Sequence, residues 1–283
     1  MPNPILTDKR FEQAEAEARA GWAAPDPRTA NLAAEAALAG QQAPPTPSLP
    51  STYERMTMGG VVTATAVLLT LVLVGAAFGW QQVDVVKASD GTVLSTNFPG
   101  WLFIPMLAGL GLVILAAFKP HLAKFLAPIY ALTQGLVVGA ISAVYEAQWD
   151  GIVLQAVGAT LGVFLVTLVM YALRIVKVTN RMRNIVIAAT LGLAVFYLFA
   201  FVLSLFGVEF SMFTSPSWFG IGFSVFVAGL AAFNLFLDYD IIERGIAGGA
   251  PKSFEWMASL GLIVTIIWLY LEILRLLAKL RER

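Results

Sequence analysis

Seven runs of roughly 20 apolar residues constrain this chain more than any other feature of its sequence. Each run is long enough to cross a hydrocarbon core of ~30 Å as an α-helix. The segments lie near 59–79, 100–118, 125–144, 152–173, 185–207, 217–240 and 256–278. The short connections between them leave no room for a soluble catalytic domain. The sequence therefore predicts an all-α integral membrane protein, a bundle of seven transmembrane helices over residues 56–283 with the C-terminal helix at its centre.

Residues 1–55 differ in composition from the rest of the chain. They hold about a third of its charges and end in the proline-rich stretch QQAPPTPSLPST. Because they lack a sustained apolar face, they are predicted to form a disordered cytosolic tail, with partner binding as the alternative. No apolar stretch follows the first basic residues, so the chain does not begin like a signal peptide.

The distribution of lysine and arginine predicts the orientation of the bundle. The connection after segment two holds Lys119 and Lys124, and the connection after segment four, RIVKVTNRMRN, holds four basic residues. The tail and these two connections are therefore predicted to face the cytosol. The basic residues near the C-terminus, beginning with Arg275, do not fit this pattern. Either the seventh helix crosses against the rule, or it dips into the membrane and returns.

Composition and motifs argue against several classes of function. The formal net charge is zero, so no nucleic-acid partner is indicated, and the chain has no cysteine and a single histidine, His121. Thiolate and histidine-cluster metal sites are therefore excluded. The sequence lacks the GxGD, GxSG and HExxH motifs of intramembrane proteases and metalloproteases. We expect no enzymatic activity and no resident cofactor.

Pairs of glycines recur at four-residue spacing, Gly135 with Gly139 and Gly158 with Gly162. Such pairs allow helix backbones to approach closely in lipid. We expect both pairs to pack inside the bundle, and dimerisation is the less favoured alternative.

Acidic residues in the last two apolar segments mark the candidate functional site. The stretch FNLFLDYDIIERG places three carboxylates at the end of segment six: Asp238, Asp240 and Glu243. Glu272 lies inside WLYLEILRLL in segment seven. Ionisable residues within a membrane span are costly and are functional candidates by default. The alternatives are a solvated cap on segment six and an ordinary ion pair between Glu272 and a following basic residue on the helix surface.

The stretches YDII (239–242) and WLYLEILRLL (268–277) resemble the closing motifs of the Bax inhibitor-1 family, also called the transmembrane BAX inhibitor motif or YccA-like family. Members of that family carry a YD-type motif on the sixth helix and an LYLD-type motif on a central seventh helix. The resemblance covers residues 56–278 by segment count and loop length and leaves the tail outside. NPIL near the start and MTMGGVV in segment one are similar to the longer bacterial branch.

The resemblance implies that Asp240 and Glu272 face each other, share a proton and act as the pH sensor of a calcium-permeable leak. Two carboxyl groups within hydrogen-bonding reach in a low dielectric cannot both ionise cheaply, so they titrate as a unit. A calcium ion bound transiently by both acids could replace the proton. Glutamate at the second position and the long linker IAGGAPKSFEW depart from the family pattern, and the linker affects the relative depth of the two acids.

Four further residues are predicted to be accessory groups. We expect Asp240 to lie in the bundle interior, with Asp238 and Glu243 near the water. Glu146, with Asp150 nearby, is a candidate for an acidic outer mouth that attracts cations, and a solvated loop charge is the favoured alternative. Arg55 is predicted to anchor the cytosolic flank of segment one, with an ion-pair gate to Asp240 as the alternative.

The predicted function is a pH-regulated cation (calcium) leak channel in a bacterial inner membrane. Its partners would be the lipid bilayer, calcium ions and protons. The main alternative is a non-conducting membrane regulator that binds a membrane protease or another membrane-protein partner. A secondary transporter is less favoured, because no two halves of the chain mirror each other.

Overall fold

The computed structural model describes residues 55–87, 93–206 and 217–283, and seven long helices dominate this part of the chain. They are α1 (Met58–Trp80), α2 (Phe103–Phe118), α3 (Ala123–Gln148), α4 (Ile152–Ala172), α5 (Asn180–Leu205), α6 (Trp218–Ala247) and α7 (Ser253–Arg281). Each helix, α2 together with the short 3-10 turn before it, is long and apolar enough to cross a membrane. The predicted all-α bundle is confirmed. The predicted tail lies outside the described residues apart from Arg55.

A small β-hairpin connects α1 to α2. Strand β1 (Asp84–Lys87) pairs antiparallel with β2 (Val93–Asn97), and Asp84 lies opposite Asn97. The β-branched residues of VDVVK and VLSTN suit a paired, half-exposed strand. The hairpin was not predicted from the sequence.

The connections define two ends of the bundle. At the end that carries the basic connections after α2 and α4, which we call the basic end, Arg55 forms an isolated β-bridge with Pro251 in the α6–α7 turn. At the other end, the hairpin end, Arg281 donates a hydrogen bond of 2.7 Å to the backbone carbonyl oxygen of Asp150. Helix α7 therefore runs from one end to the other as a continuous helix of 29 residues. Of the two explanations left open for its basic C-terminus, the continuous helix favours the full crossing over a segment that dips in and returns.

Helix α7 lies at the centre of the main core. It packs against α1, α3, α4 and α6. Its residues Met257, Leu260 and Ile263 are completely or almost completely buried. Buried residues occur on every side of α7, because neighbouring helices surround it.

Helix α5 belongs to a second, smaller core. Val186 and Leu193 of α5 cluster there with Val227, Leu230 and Leu237 of α6, apart from the main cluster. The only α7 side chain at this cluster, among the described residues, is the partly buried Trp268. Many other apolar side chains of α5 point outward, so this helix is attached to the bundle mainly through one face of α6.

The two glycine pairs have different surroundings. A Cβ at Gly135 or Gly139 would overlap the backbone of α1 at Val72 or Ala76, so these glycines allow α1 and α3 to touch. The prediction is confirmed for this pair. A Cβ at Gly158 or Gly162 would meet open space. The prediction is wrong for the second pair, because the buried positions of α4, such as Ala156 and Thr160, lie on another face of the helix.

Candidate functional site

Asp240 lies near the basic end of α6, where two arginines contact its carboxylate. Its Oδ2 atom is 3.1 Å from Nη2 of Arg183 on α5 and 2.8 Å from Nη2 of Arg244, one turn later on α6. The side chains of Asp240 and Arg183 are each only 16% exposed. We call these three residues the basic-end cluster. The ion pair between Asp240 and Arg183 joins α6 to α5 where the surrounding protein reduces the screening by water.

Glu243 joins the same end of α6 to a different neighbour. Its carboxylate accepts hydrogen bonds from the hydroxyl of Tyr171 and the guanidinium of Arg174 at the end of α4. Its side chain is 36% exposed, and that of Arg174 is 65% exposed. The last turns of α6 are therefore connected to α4 on one side and to α5 on the other.

Asp238 is the most deeply buried acid of this group, with a relative exposure of 1%. The prediction that Asp238 lies near the water is therefore wrong, whereas Asp240 is largely buried and Glu243 is partly exposed, as predicted. The reason is helix geometry, since Asp238 follows the buried Asn234 by about one turn and shares its face. Asp240 is rotated by about 200° from Asp238, and Arg183 of α5 contacts its carboxylate.

Glu272 forms a second charged group toward the hairpin end. Its side chain is 3% exposed, and Nη1 of Arg275 lies 3.0 Å from Oε2. The hydroxyl of Tyr197 on α5 donates a hydrogen bond of 3.1 Å to Oε1, and Arg275 donates one of 3.2 Å to that hydroxyl oxygen. We call Glu272, Arg275 and Tyr197 the hairpin-end cluster. The local ion pair is the alternative considered from the sequence, here buried and completed by a residue of α5.

The register of α6 and α7 separates the two candidate acids. Asp240 lies seven residues before the end of α6, whereas Glu272 lies 19 residues after the start of α7. The two helices are antiparallel, because Nζ of Lys279 contacts the backbone oxygen of Gly220 at 3.1 Å. At 1.5 Å per residue the acids differ in depth by roughly 18 Å.

The predicted proton-sharing pair and joint calcium site of Asp240 and Glu272 are therefore wrong. No hydrogen bond joins the two carboxylates in the described part of the chain, and each has its own arginine. The linker between the motifs explains the difference. It extends α6 past Asp240 to Ala247 and lets α7 begin at Ser253, so the acids lie toward opposite ends of the bundle. In the described ranges, no three His, Asp or Glu side chains lie together as metal ligands would.

A line of polar contacts along α5 connects the two clusters. Arg183, Thr190 and Tyr197 follow one another at intervals of seven residues, which places them on one face of the helix over about 21 Å. Between the clusters, Nδ2 of Asn234 on α6 donates a hydrogen bond of 3.0 Å to the hydroxyl of Thr190, and both residues are buried. We call this line the polar seam: Arg183, Thr190 and Tyr197 of α5, with Asp240, Asn234 and Glu272 opposite them.

Sequence reasoning missed most of the polar seam. It selected the two acids but none of their partners on α5. The seven-residue spacing of an arginine, a threonine and a tyrosine within an apolar segment is the signal that could have identified them. Lys279 was also missed as a buried group, and its ammonium contacts Ser224 at 3.0 Å as well as the backbone of α6.

Two accessory predictions are also corrected. Glu146 accepts hydrogen bonds from the backbone N–H groups of Gly151 at 2.6 Å and Val153 at 2.9 Å, so it caps the start of α4 instead of forming an acidic mouth. Arg55 has no ion pair with Asp240 in the part of the chain that is described, and its side chain lies near Gly249. The alternative of an ion-pair gate at Arg55 is wrong, and its backbone bridge instead joins the start of α1 to the α6–α7 turn.

Together these features define a helical membrane protein with a buried central seventh helix and a fifth helix attached along a line of polar contacts. The sequence model of the Bax inhibitor 1 like family matches residues 3–282, and the chain belongs to that family. The family predicted from the closing motifs is confirmed. The match also includes the tail, whereas the resemblance predicted from the motifs covers only residues 56–278. A search of curated proteins found no match.

Proposed function

We propose that the protein is a regulated cation leak in which ions pass along the polar seam, between α5 and the pair of α6 and α7. The observation that carries the proposal is the line of buried polar side chains from Asp240 through Asn234 to Glu272. Polar and ionisable residues are costly at membrane depth, and ion and proton pathways are where they occur. Separating α5 from α6 along the seam breaks the second, smaller apolar cluster and leaves the main core around α7 intact.

The side chains of the seam fit a cation as the permeating species. Asp240 and Glu272 offer carboxylate oxygens near the two ends, and Thr190 and Asn234 offer hydroxyl and amide oxygens between them. Calcium prefers oxygen ligands of these types and tolerates an irregular set of them. Calcium is therefore the cation that we propose to be carried, bound transiently and at one acid at a time.

The ion pair between Arg183 and Asp240 is the proposed gate. While it is intact, it holds α5 against α6 and occupies the carboxylate that an entering cation would need. Opening separates Arg183 from Asp240 and leaves the carboxylate available to the entering cation. The leak that we propose is regulated by pH, and this ion pair is the contact whose loss opens it.

The proposed location is a bacterial inner membrane, with the basic end toward the cytosol. The connections after α2 and α4 support this orientation, because short loops rich in lysine and arginine remain on the cytosolic side. The basic residues near the C-terminus are only a weak argument against this orientation. Arg275, Lys279 and Arg281 contact a carboxylate or backbone carbonyl groups, as the hydrogen bonds to Glu272, Gly220 and Asp150 show.

The proposal is tested by calcium flux into liposomes that contain a calcium dye, with wild-type protein and the variant Asn234→Leu. The leucine keeps the approximate side-chain volume and removes the polar group at the middle of the seam. We expect the flux to fall about tenfold, equivalent to a barrier increase of ~1.4 kcal/mol. The matched control is Gln134→Leu, because the amide of Gln134 joins α3 to the backbone of Pro105 on α2, outside the seam.

Equal flux for wild type and Asn234→Leu would reject the seam as the path. No flux for the wild type under any condition would favour the alternative of a non-conducting regulator. That alternative would then predict retention of a membrane-protein partner by the purified protein.

A further inference from the structure

A groove of about 590 Å³ lies between the outer faces of α5 and α6. Most of its lining is apolar, including Ile185 and Ala189 of α5 and Phe226, Gly229 and Phe233 of α6. Ile185, Phe226 and Phe233 are exposed on the outside of the bundle, where a transmembrane helix faces lipid. The groove is therefore open to the bilayer and has the surface chemistry of a site for a hydrocarbon chain.

One end of the groove is polar and positively charged. Thr179 and Arg181, which also line it, lie at the start of α5 at the basic end. The first turn of α5 carries no acidic residue, and its backbone N–H groups add a partial positive charge. Arg181 is exposed, and no carboxylate contacts its guanidinium within the described residues. Arg183, two positions later, points to the other side of α5 and binds Asp240.

We propose that this groove binds an anionic phospholipid, with an acyl chain between α5 and α6 and the phosphate at Arg181. Charge complementarity selects the anionic headgroup, because basic pockets between transmembrane helices near the membrane surface attract such lipids. The apolar lining and the opening to the bilayer select a lipid over a soluble anion. The binding step goes beyond the proposed leak and does not depend on it.

The position of the lipid has a consequence for the leak if the proposed function holds. An acyl chain in the groove contacts the same two helices that the ion pair between Arg183 and Asp240 joins. Occupation of the groove would support α5 from its outer side. Anionic lipid would then reduce the leak by favouring the arrangement in which α5 contacts α6.

Gly229 provides a direct way to fill the groove. A Cβ at this position would meet no atom within 4 Å, so a leucine fits without disturbing the backbone and occupies the space of the acyl chain. Gly222 has the same open surroundings on α6 and is absent from the groove lining. Gly222→Leu is therefore the matched control for Gly229→Leu. Lys124→Gln, at an exposed basic residue of α3, is the control for Arg181→Gln.

The test is a titration of the full chain in detergent with phosphatidylglycerol or phosphatidylcholine, with bound lipid counted by native mass spectrometry. We expect Arg181→Gln to weaken phosphatidylglycerol binding about fivefold and to weaken phosphatidylcholine binding less, because the choline group offsets the phosphate charge. Gly229→Leu should reduce the binding of both lipids, and the two control variants should bind like the wild type. Equal phosphatidylglycerol binding by wild type and Arg181→Gln, or undiminished binding by Gly229→Leu, would overturn the proposal. Since no flux is measured, failure of the leak leaves this result unaffected.

Discussion

The regions around α7 and α5 hold the same chain together in different ways. Around α7, four helices bury an apolar surface on all sides, and glycines bring the backbones of α1 and α3 into contact. Around α5, a small apolar cluster and three polar contacts at seven-residue intervals connect one helix to its neighbours. Regions with few buried apolar contacts open at lower free energy than cores. The rigid core around α7 therefore determines the fold, and the charged groups lie where α5 can separate from α6.

The largest expected effect is in the main core. Gly139→Leu places a side chain against the backbone of Ala76. We expect the free energy of unfolding to fall by about 1–3 kcal/mol, or the protein not to fold at all. Gly158→Leu, in open space on α4, should unfold like the wild type. Thermal unfolding in detergent measures both. Equal melting temperatures for the two variants would show that the contact of α1 with α3 is not needed.

The next effect concerns the ion pair that attaches α5. Arg183→Gln removes the interhelical charge from Asp240, and we expect the calcium leak to rise about tenfold, equivalent to ~1.4 kcal/mol, with little change in melting temperature. Arg174→Gln is the matched control, since it breaks an ion pair between α4 and α6. A leak that rises equally in both variants would mean that α5 has no special part.

A smaller effect is expected in the pH response. The carboxylate of Asp240 binds Arg183 and Arg244, and Asp240→Asn removes the negative charge that both arginines contact. Because this pair is the proposed gate, the wild-type leak should change with pH, and Asp240→Asn should be leaky at every pH. Glu243→Gln, on the same helix but bound to α4, should keep the response. Flux measured over a pH series checks this, and an unaltered response in Asp240→Asn contradicts it.

The smallest effects come from one hydroxyl in each region. Tyr270→Phe removes a hydrogen bond of 2.6 Å to Ser142 in the main core, and we expect a stability loss of about 0.5–1.5 kcal/mol without a change in leak. Tyr197→Phe removes the contact of α5 with Glu272, and we expect it to change the leak more than the stability. The free energy of unfolding and the calcium flux are measured for both Tyr→Phe variants. If the ratio of stability loss to change in leak is the same at both positions, the two regions do not differ in this way.

The sequence predicted what depends on composition and local pattern. Seven apolar segments give seven spans, and the resemblance to the family implied the central position of α7. The site depended on register, which composition does not determine. Asp240 and Glu272 were assigned to each other because their motifs are paired in the family, but the helix extensions on both sides of the α6–α7 turn move them apart. Predicting the α5 residues that contact these two acids would have required knowing which helix packs beside α6.

Because the chain has no cysteine, an introduced disulfide tests directly whether α5 must separate from α6 for ions to pass. Leu193→Cys and Leu230→Cys introduce one thiol on each helix, within the same cluster and near the depth of the contact between Thr190 and Asn234. Oxidation of the double variant in liposomes is predicted to stop calcium flux, and reduction is predicted to restore it. Undiminished flux through fully cross-linked protein would mean that ions pass without the separation of α5 from α6.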